Sequence, residues 1–254
     1  MYHDIVPAGA EDSSGFPGVD AALYKVSPDL FEAHLGAISR QSAPPPALSD
    51  VVLTFDDGGM SAMVAADLLD QYGFVGHFFV TVNYIGTSGF VTGQDLRVLR
   101  RRGHAVGSHS CSHPLRMGHC PWNYLLEEWT RSRAVLADVL GEDVEAASVP
   151  GGGFAPIVSE AAAAAGFSHL FTSEPTARSR DVCGLIVHGR FTIQRWTSAD
   201  TAAALARGAW LPSARQALEW NAKKIGKRLG GTRYLQLRKL ILGHGNNVRW
   251  GDQP

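Results

Sequence analysis

Val51-Val52-Leu53-Thr54-Phe55-Asp56-Asp57-Gly58-Gly59 opens as an apolar run and closes on two adjacent acids and two glycines. The run from Val51 to Phe55 is short and does not alternate with polar residues. That is the pattern of a strand buried on both faces of a parallel sheet. The glycines let the chain turn sharply directly after the acids. Downstream, Ser61 to Tyr72 reads as a helix with Ala62, Ala65, Ala66, Leu68 and Leu69 on its apolar side, and Gly76 to Val82 as a second strand. Asp95 to Arg102 reads as a helix, Ala105-Val106-Gly107 as the start of a third strand, and Asn123 to Leu140 as a longer helix. Ala146 to Val149, the Ala-rich helix from Val158 to Ala165, and His169 to Thr172 continue the alternation. Strands and helices taking turns at this spacing predict a parallel α/β architecture.

Outside that stretch the pattern weakens. Val182 to Val187 and Phe191 to Arg195 read as strands, and Ser213 to Leu229 and Arg233 to Leu242 as helices. The first fifty residues are rich in Gly, Pro and Ser, with a short helix near Leu30 to Ile38 and a stiff Pro44-Pro45-Pro46 connector. No internal repeat is visible. The 254 residues and 45% hydrophobic content suit one large domain. We read 1–254 as a single domain with an irregular segment over 1–50 and a basic helical region over 213–242.

The formal net charge of −1 gives no global attraction to nucleic acid or membrane. The charge is uneven, however. Between Glu219 and Asp252 there is no acid, while Lys223, Lys224, Lys227, Arg228, Arg233, Arg238, Lys239 and Arg249 are basic. A solvated helix face accounts for this run. A peripheral surface for anionic lipid or a diphosphate carrier is the sharper expectation. Cys111, Cys120 and Cys183 form no disulfide framework. The start lacks a basic, apolar leader, and no apolar run is long enough to span a bilayer. These features predict a cytoplasmic protein without a transmembrane segment.

The chemistry gathers at the strand ends. On an extended segment, neighbouring side chains point in opposite directions, so Asp56 and Asp57 share a pocket only if the chain turns there. One would then ligate a metal while the other takes a proton from bound water. The third strand runs into Gly107-Ser108-His109-Ser110-Cys111-Ser112-His113-Pro114. Two histidines four residues apart converge on one ion if the segment is turned or helical. Taken with Asp57 they offer two nitrogens and one oxygen, a set that suits zinc, and also cobalt or nickel, and leaves a position open. Ser148-Val149-Pro150-Gly151-Gly152-Gly153 ends the fourth strand, where bare backbone N–H groups suit an oxyanion.

Thr54-Phe55-Asp56-Asp57-Gly58 and His109-Ser110-Cys111-Ser112-His113-Pro114 resemble the first two motifs of the polysaccharide deacetylases, carbohydrate esterase family 4. Gly76 to Val80, Gly103 to His109 and the opening Tyr2-His3-Asp4-Ile5 are also similar to members of that family. The resemblance runs over about residues 50 to 175. It implies a distorted, incomplete (β/α) TIM-like barrel that removes an N-acetyl group from an amino sugar in a polymer, an oligosaccharide or a carrier-linked glycan. It implies Asp56 as general base, Asp57, His109 and His113 as metal ligands, and the backbone N–H near Gly151 as an oxyanion donor.

Two departures from the family pattern stand out. The third motif usually opens with an arginine that orients the base, and that slot holds Ser148. Arg190, in Gly189-Arg190-Phe191, is the residue proposed to bring the charge from elsewhere and to contact substrate. For the histidine that protonates the leaving amine, the candidates are His188 and His244, with His188 preferred. Deformylation or another amidohydrolase chemistry on the same scaffold is one alternative. A carbohydrate-binding relative that has lost catalysis is the other, and Ser148 favours it.

Overall fold

The computed structural model describes residues 1–40 and 51–221. Pro44 to Pro46, the helix expected over 233–242, the basic run from Lys223 onward and His244 lie outside them. Seven strands form one sheet in the order β1-β2-β3-β4-β5-β7-β6: β1 (Leu53–Phe55), β2 (Gly76–Val80), β3 (Ala105–Ser108), β4 (Ala146–Ser148), β5 (His169–Phe171), β6 (Ser179–Val182) and β7 (Leu185–His188). Neighbours from β1 to β5 and on to β7 pair in parallel; β6 alone runs antiparallel, against β7. The helices are α1 (Val19–Ala22), α2 (Pro28–Arg40), α3 (Ala62–Tyr72), α4 (Gly93–Arg101), α5 (Trp122–Leu140), α6 (Pro156–Ala164) and α7 (Ala199–Ala206). Residues 210–221 are also helical. This is the incomplete, TIM-like α/β barrel expected.

Local chemistry places the boundaries. Gly73 (φ 73°) and Gly141 (φ 74°) end α3 and α5 in the left-handed conformation that favours glycine. Thr92 and Asp95 close a reciprocal capping box at the start of α4. Alternation then divides the strand residues between two faces. Leu53, Phe55, Phe78, Val106, Ala147, Leu170 and Val187 join the buried cluster shared with the helices. Thr54, His77, Phe79, Gly107, Ser148, Phe171 and His188 take the concave face, as the register pairs Thr54↔His77, Phe79↔Gly107, Ser148↔Phe171 and Phe171↔His188 require.

Three expectations are corrected. Within the segment read as irregular, residues 1–40 are not merely irregular. Tyr2 bridges Phe55 in parallel, and its N–H donates to the Thr54 carbonyl. On the other side, the Ile193 N–H donates to the Met1 carbonyl and the Met1 nitrogen to the Phe191 carbonyl. The first two residues thus join β1 to the stretch after β7, and Tyr2, Ile5, Phe31 and Leu35 are core residues. Val182 to Val187 is not one strand: Cys183 (φ 55°) and Gly184 (φ 83°) turn the chain between β6 and β7. Phe191 to Arg195 is not a strand; its backbone bonds go to Met1 and Leu23 instead.

Candidate metal centre

The strand ends converge on one point above the concave face. Asp56 continues the alternation of β1, so its carboxylate enters that face beside Thr54. Alternation alone would send Asp57 to the helix side. Its φ of 76°, followed by Gly58 at 85°, swings it back, and Asp tolerates this left-handed region better than most residues. A side chain at Gly58 would collide with the Val80 side chain and backbone at 3.0–3.3 Å, so the turn is held tight against β2.

The second limb is the loop after β3, where Ser110 (φ 65°) and His113 (φ 59°) are also left-handed. The turn brings both imidazoles onto Asp57, whose Oδ1 lies 3.3 Å from Nε2 of His109 and 3.3 Å from Nε2 of His113. Their ligand atoms all lie within 4.8 Å of one another, the one such grouping of three or more among the described residues. The outer contacts of His109 test whether a cation fits. Its Nδ1 is 3.1 Å from the Ser148 carbonyl and 2.5 Å from the Ser148 hydroxyl. A carbonyl only accepts, so Nδ1 carries the proton, and in the neutral ring Nε2 presents a lone pair to Asp57. Two acceptors facing at this distance call for a positive charge between them. The donor set fits a divalent ion of zinc type.

Arg190 has a different surrounding from the one expected of a substrate contact. It is buried, and its Nη1 and Nη2 grip Asp56 Oδ1 and Oδ2 at 2.7 and 2.8 Å. Its Nε donates to the Thr172 carbonyl and Nη1 also to the Thr54 hydroxyl. The guanidinium lies over the Phe79 and Phe171 rings at 5.6 and 5.9 Å from their centroids. The charge missing at Ser148 therefore reaches Asp56 from the segment after β7, while Ser148 Oγ donates to Asp56 Oδ1 at 3.1 Å. Burial pushes the Asp56 carboxyl up, but Arg190, His109 and His3 outweigh it and hold it at about 2. Asp57 is likewise pushed up by burial, yet the adjoining His109 and His113 imidazoles keep it well below the usual carboxylate range.

His188 is not brought to this point. Its ring stacks on Phe171 at 4.7 Å, with Nε2 3.1 Å from His169 Nδ1 and Nδ1 2.9 Å from Ser179 Oγ. It sits one layer beneath Arg190 on the concave face, with both nitrogens engaged elsewhere. Burial and the neighbouring His169 lower its pKa. The histidine that does reach the carboxylates is His3, whose role in the site its sequence context did not signal. The bridge from Tyr2 to Phe55 and the Asp56 N–H donated to the Tyr2 carbonyl set His3 beside Asp56. Burial lowers its pKa against the raising influence of Asp57 and Asp56, and its Nδ1 is buried without a hydrogen-bond partner among the described residues. Gly151 (φ 59°) lies in the turn after β4, where a side chain would strike the Leu115 backbone at 2.9–3.3 Å, so the loops after β3 and β4 pack against each other. Cys111 is a packed thiol: burial and Glu128 push it up to about 11.

A parallel α/β half-barrel with two histidines and an aspartate at its strand C-termini, and a second aspartate held by arginine beside them, defines a hydrolase-type site. The family model for polysaccharide deacetylase matches residues 44–170. The chain belongs to that family, hydrolases of the amide C–N bond of N-acetyl sugars. Its fold is similar to the Streptococcus pyogenes deacetylase PplD in complex with acetate (TM-score 0.64, 20% identity, 79% of this chain and 93% of that one). It is also similar to a polysaccharide deacetylase from Bacillus cereus (0.68, 19%, 81% and 67%) and to IcaB from Ammonifex degensii (0.62, 20%, 81% and 94%). No curated protein matches the sequence.

Proposed function

We propose that the protein is a zinc-dependent N-deacetylase of amino sugars, with Asp57, His109 and His113 as the metal ligands and Asp56 as the general base. The convergence of Asp57, His109 and His113 carries this reading. A bound divalent ion would polarise the acetyl carbonyl and acidify a water molecule. Asp56, ionised and oriented by Arg190, accepts the proton of the attacking water. His3 supplies a proton to the amine nitrogen as the C–N bond breaks, leaving acetate and a free amino sugar. In this reading the Gly151 backbone N–H is the oxyanion donor. PplD, of the same fold, is described in complex with acetate, the product this reading requires.

The binding-only reading loses its motive, because Arg190 does for Asp56 what the missing arginine would have done. Metal content and acetate release, measured together on wild type and Asp56→Asn with a panel of N-acetylated mono-, oligo- and carrier-linked sugars, test the proposal. The expected result is one metal per chain in both proteins and release by wild type alone. Wild type that holds no metal after purification in excess zinc overturns it.

A further inference from the structure

We infer that Glu128 is a positioning residue for the metal centre, a carboxylate that shapes the turn carrying His109 and His113 without touching the ion. The inference rests on the metal reading above. Glu128 projects from α5 and is 7% exposed. Its Oε2 accepts the N–H groups of Cys111 and Ser112, at 2.9 and 3.0 Å, and its Oε1 accepts the Ser112 hydroxyl at 2.8 Å. These are two of the three residues between the two histidines. Consecutive backbone N–H groups aimed at one anion form a concavity of the kind that binds phosphate, and here the anion is built into the protein. Such charge-assisted bonds are roughly twice as strong as neutral ones.

The turn needs this support. Ser110 and His113 both hold left-handed backbone without being glycine, a conformation that costs about 1–3 kcal/mol per residue and persists only where neighbours enforce it. The other restraints are hydroxyls: Ser110 N–H donates to Ser108 Oγ, His113 N–H to Ser110 Oγ, and Ser108 Oγ meets Ser132 Oγ on α5. Glu128 supplies the one charge among these contacts. Without it, the buried Cys111 N–H and the Ser112 N–H lose their acceptor, and the turn relaxes toward conformations in which the two imidazoles no longer share Asp57.

The test is zinc affinity, read by competition with a chromophoric chelator, beside the melting temperature of the metal-free protein, for wild type, Glu128→Gln and Glu128→Ala. Partners that orient metal ligands are worth roughly 10–100-fold in affinity. Glu128→Ala is expected near the upper end of that range. Glu128→Gln, which keeps one oxygen for the N–H groups but no charge, is expected at about tenfold or slightly less. If Glu128→Ala does not fold, Glu128→Gln decides. Zinc affinity for Glu128→Gln within twofold of wild type overturns the inference, whatever happens to the melting temperature, since a purely structural carboxylate would change only the latter. Wild type that binds no zinc removes the metal reading itself, which distinguishes the two failures.

Discussion

Asp56 and Asp57 are neighbours in the chain with opposite surroundings, and the difference follows from one backbone angle. Asp56 stays in strand geometry and meets Arg190; Asp57 turns left-handed and meets the histidines. The pairing with Arg190 has a stability consequence whose sign is fixed. The folded-state pKa of Asp56 lies below its ordinary value of 3.8, at about 2. Its contribution, about 2 kcal/mol, is therefore complete above the unfolded value and lost as pH falls through the folded one. Arg190→Met should abolish acetate release and destabilise the fold by about 3–5 kcal/mol at neutral pH, because it strands a buried carboxylate. Denaturant titrations at neutral pH check the loss, and titrations between about pH 3.8 and 2 should show the Asp56 contribution vanish in wild type. At the same scale, His3→Gln should lower kcat about 10²–10⁴-fold with zinc retained. His188→Gln should leave kcat within about threefold, since its nitrogens serve His169 and Ser179; steady-state acetate assays separate the two.

At the scale of elements, the strands matter through what they set at each layer of the concave face. Gly107 in β3 faces the Phe79 ring so closely that a side chain would sit 2.6 Å from both the ring and the Ala146 carbonyl. Gly107→Ala should push β3 away from β2 or β4, at a cost of about 1–3 kcal/mol from overpacking. Because His109 follows two residues later, zinc affinity should fall with stability; urea unfolding and chelator competition on one variant read both. The strands and helices through β5 were legible because each βα unit carries its own apolar run and turn. The β6–β7 hairpin was not. Its residues are polar on β6 and its turn falls on Cys183-Gly184, a signal too short to split an apparent single strand.

For the whole molecule, a metal that binds only the folded chain must stabilise it. At zinc one hundred times its Kd the gain is about 2.7 kcal/mol. Melting temperature should therefore rise on adding zinc to chelator-treated wild type and stay constant for Asp57→Ala, as calorimetry would show. The sequence alone determined the parallel α/β class, the two acid and histidine motifs and hence the candidate metal-ligand set, because each is written in consecutive residues whose local pattern needs no distant partner. Only the tertiary structure decided which arginine holds Asp56 and which histidine stands beside it. Arg190 and His3 are separated from Asp56 by 134 and 53 residues, so the sequence could offer Arg190 as a source of charge and the opening Tyr2-His3-Asp4-Ile5 as family-like without placing either beside Asp56. They meet it because the first two residues of the chain lie between β1 and the segment after β7, and that closure is a property of the curled sheet rather than of any one stretch of sequence.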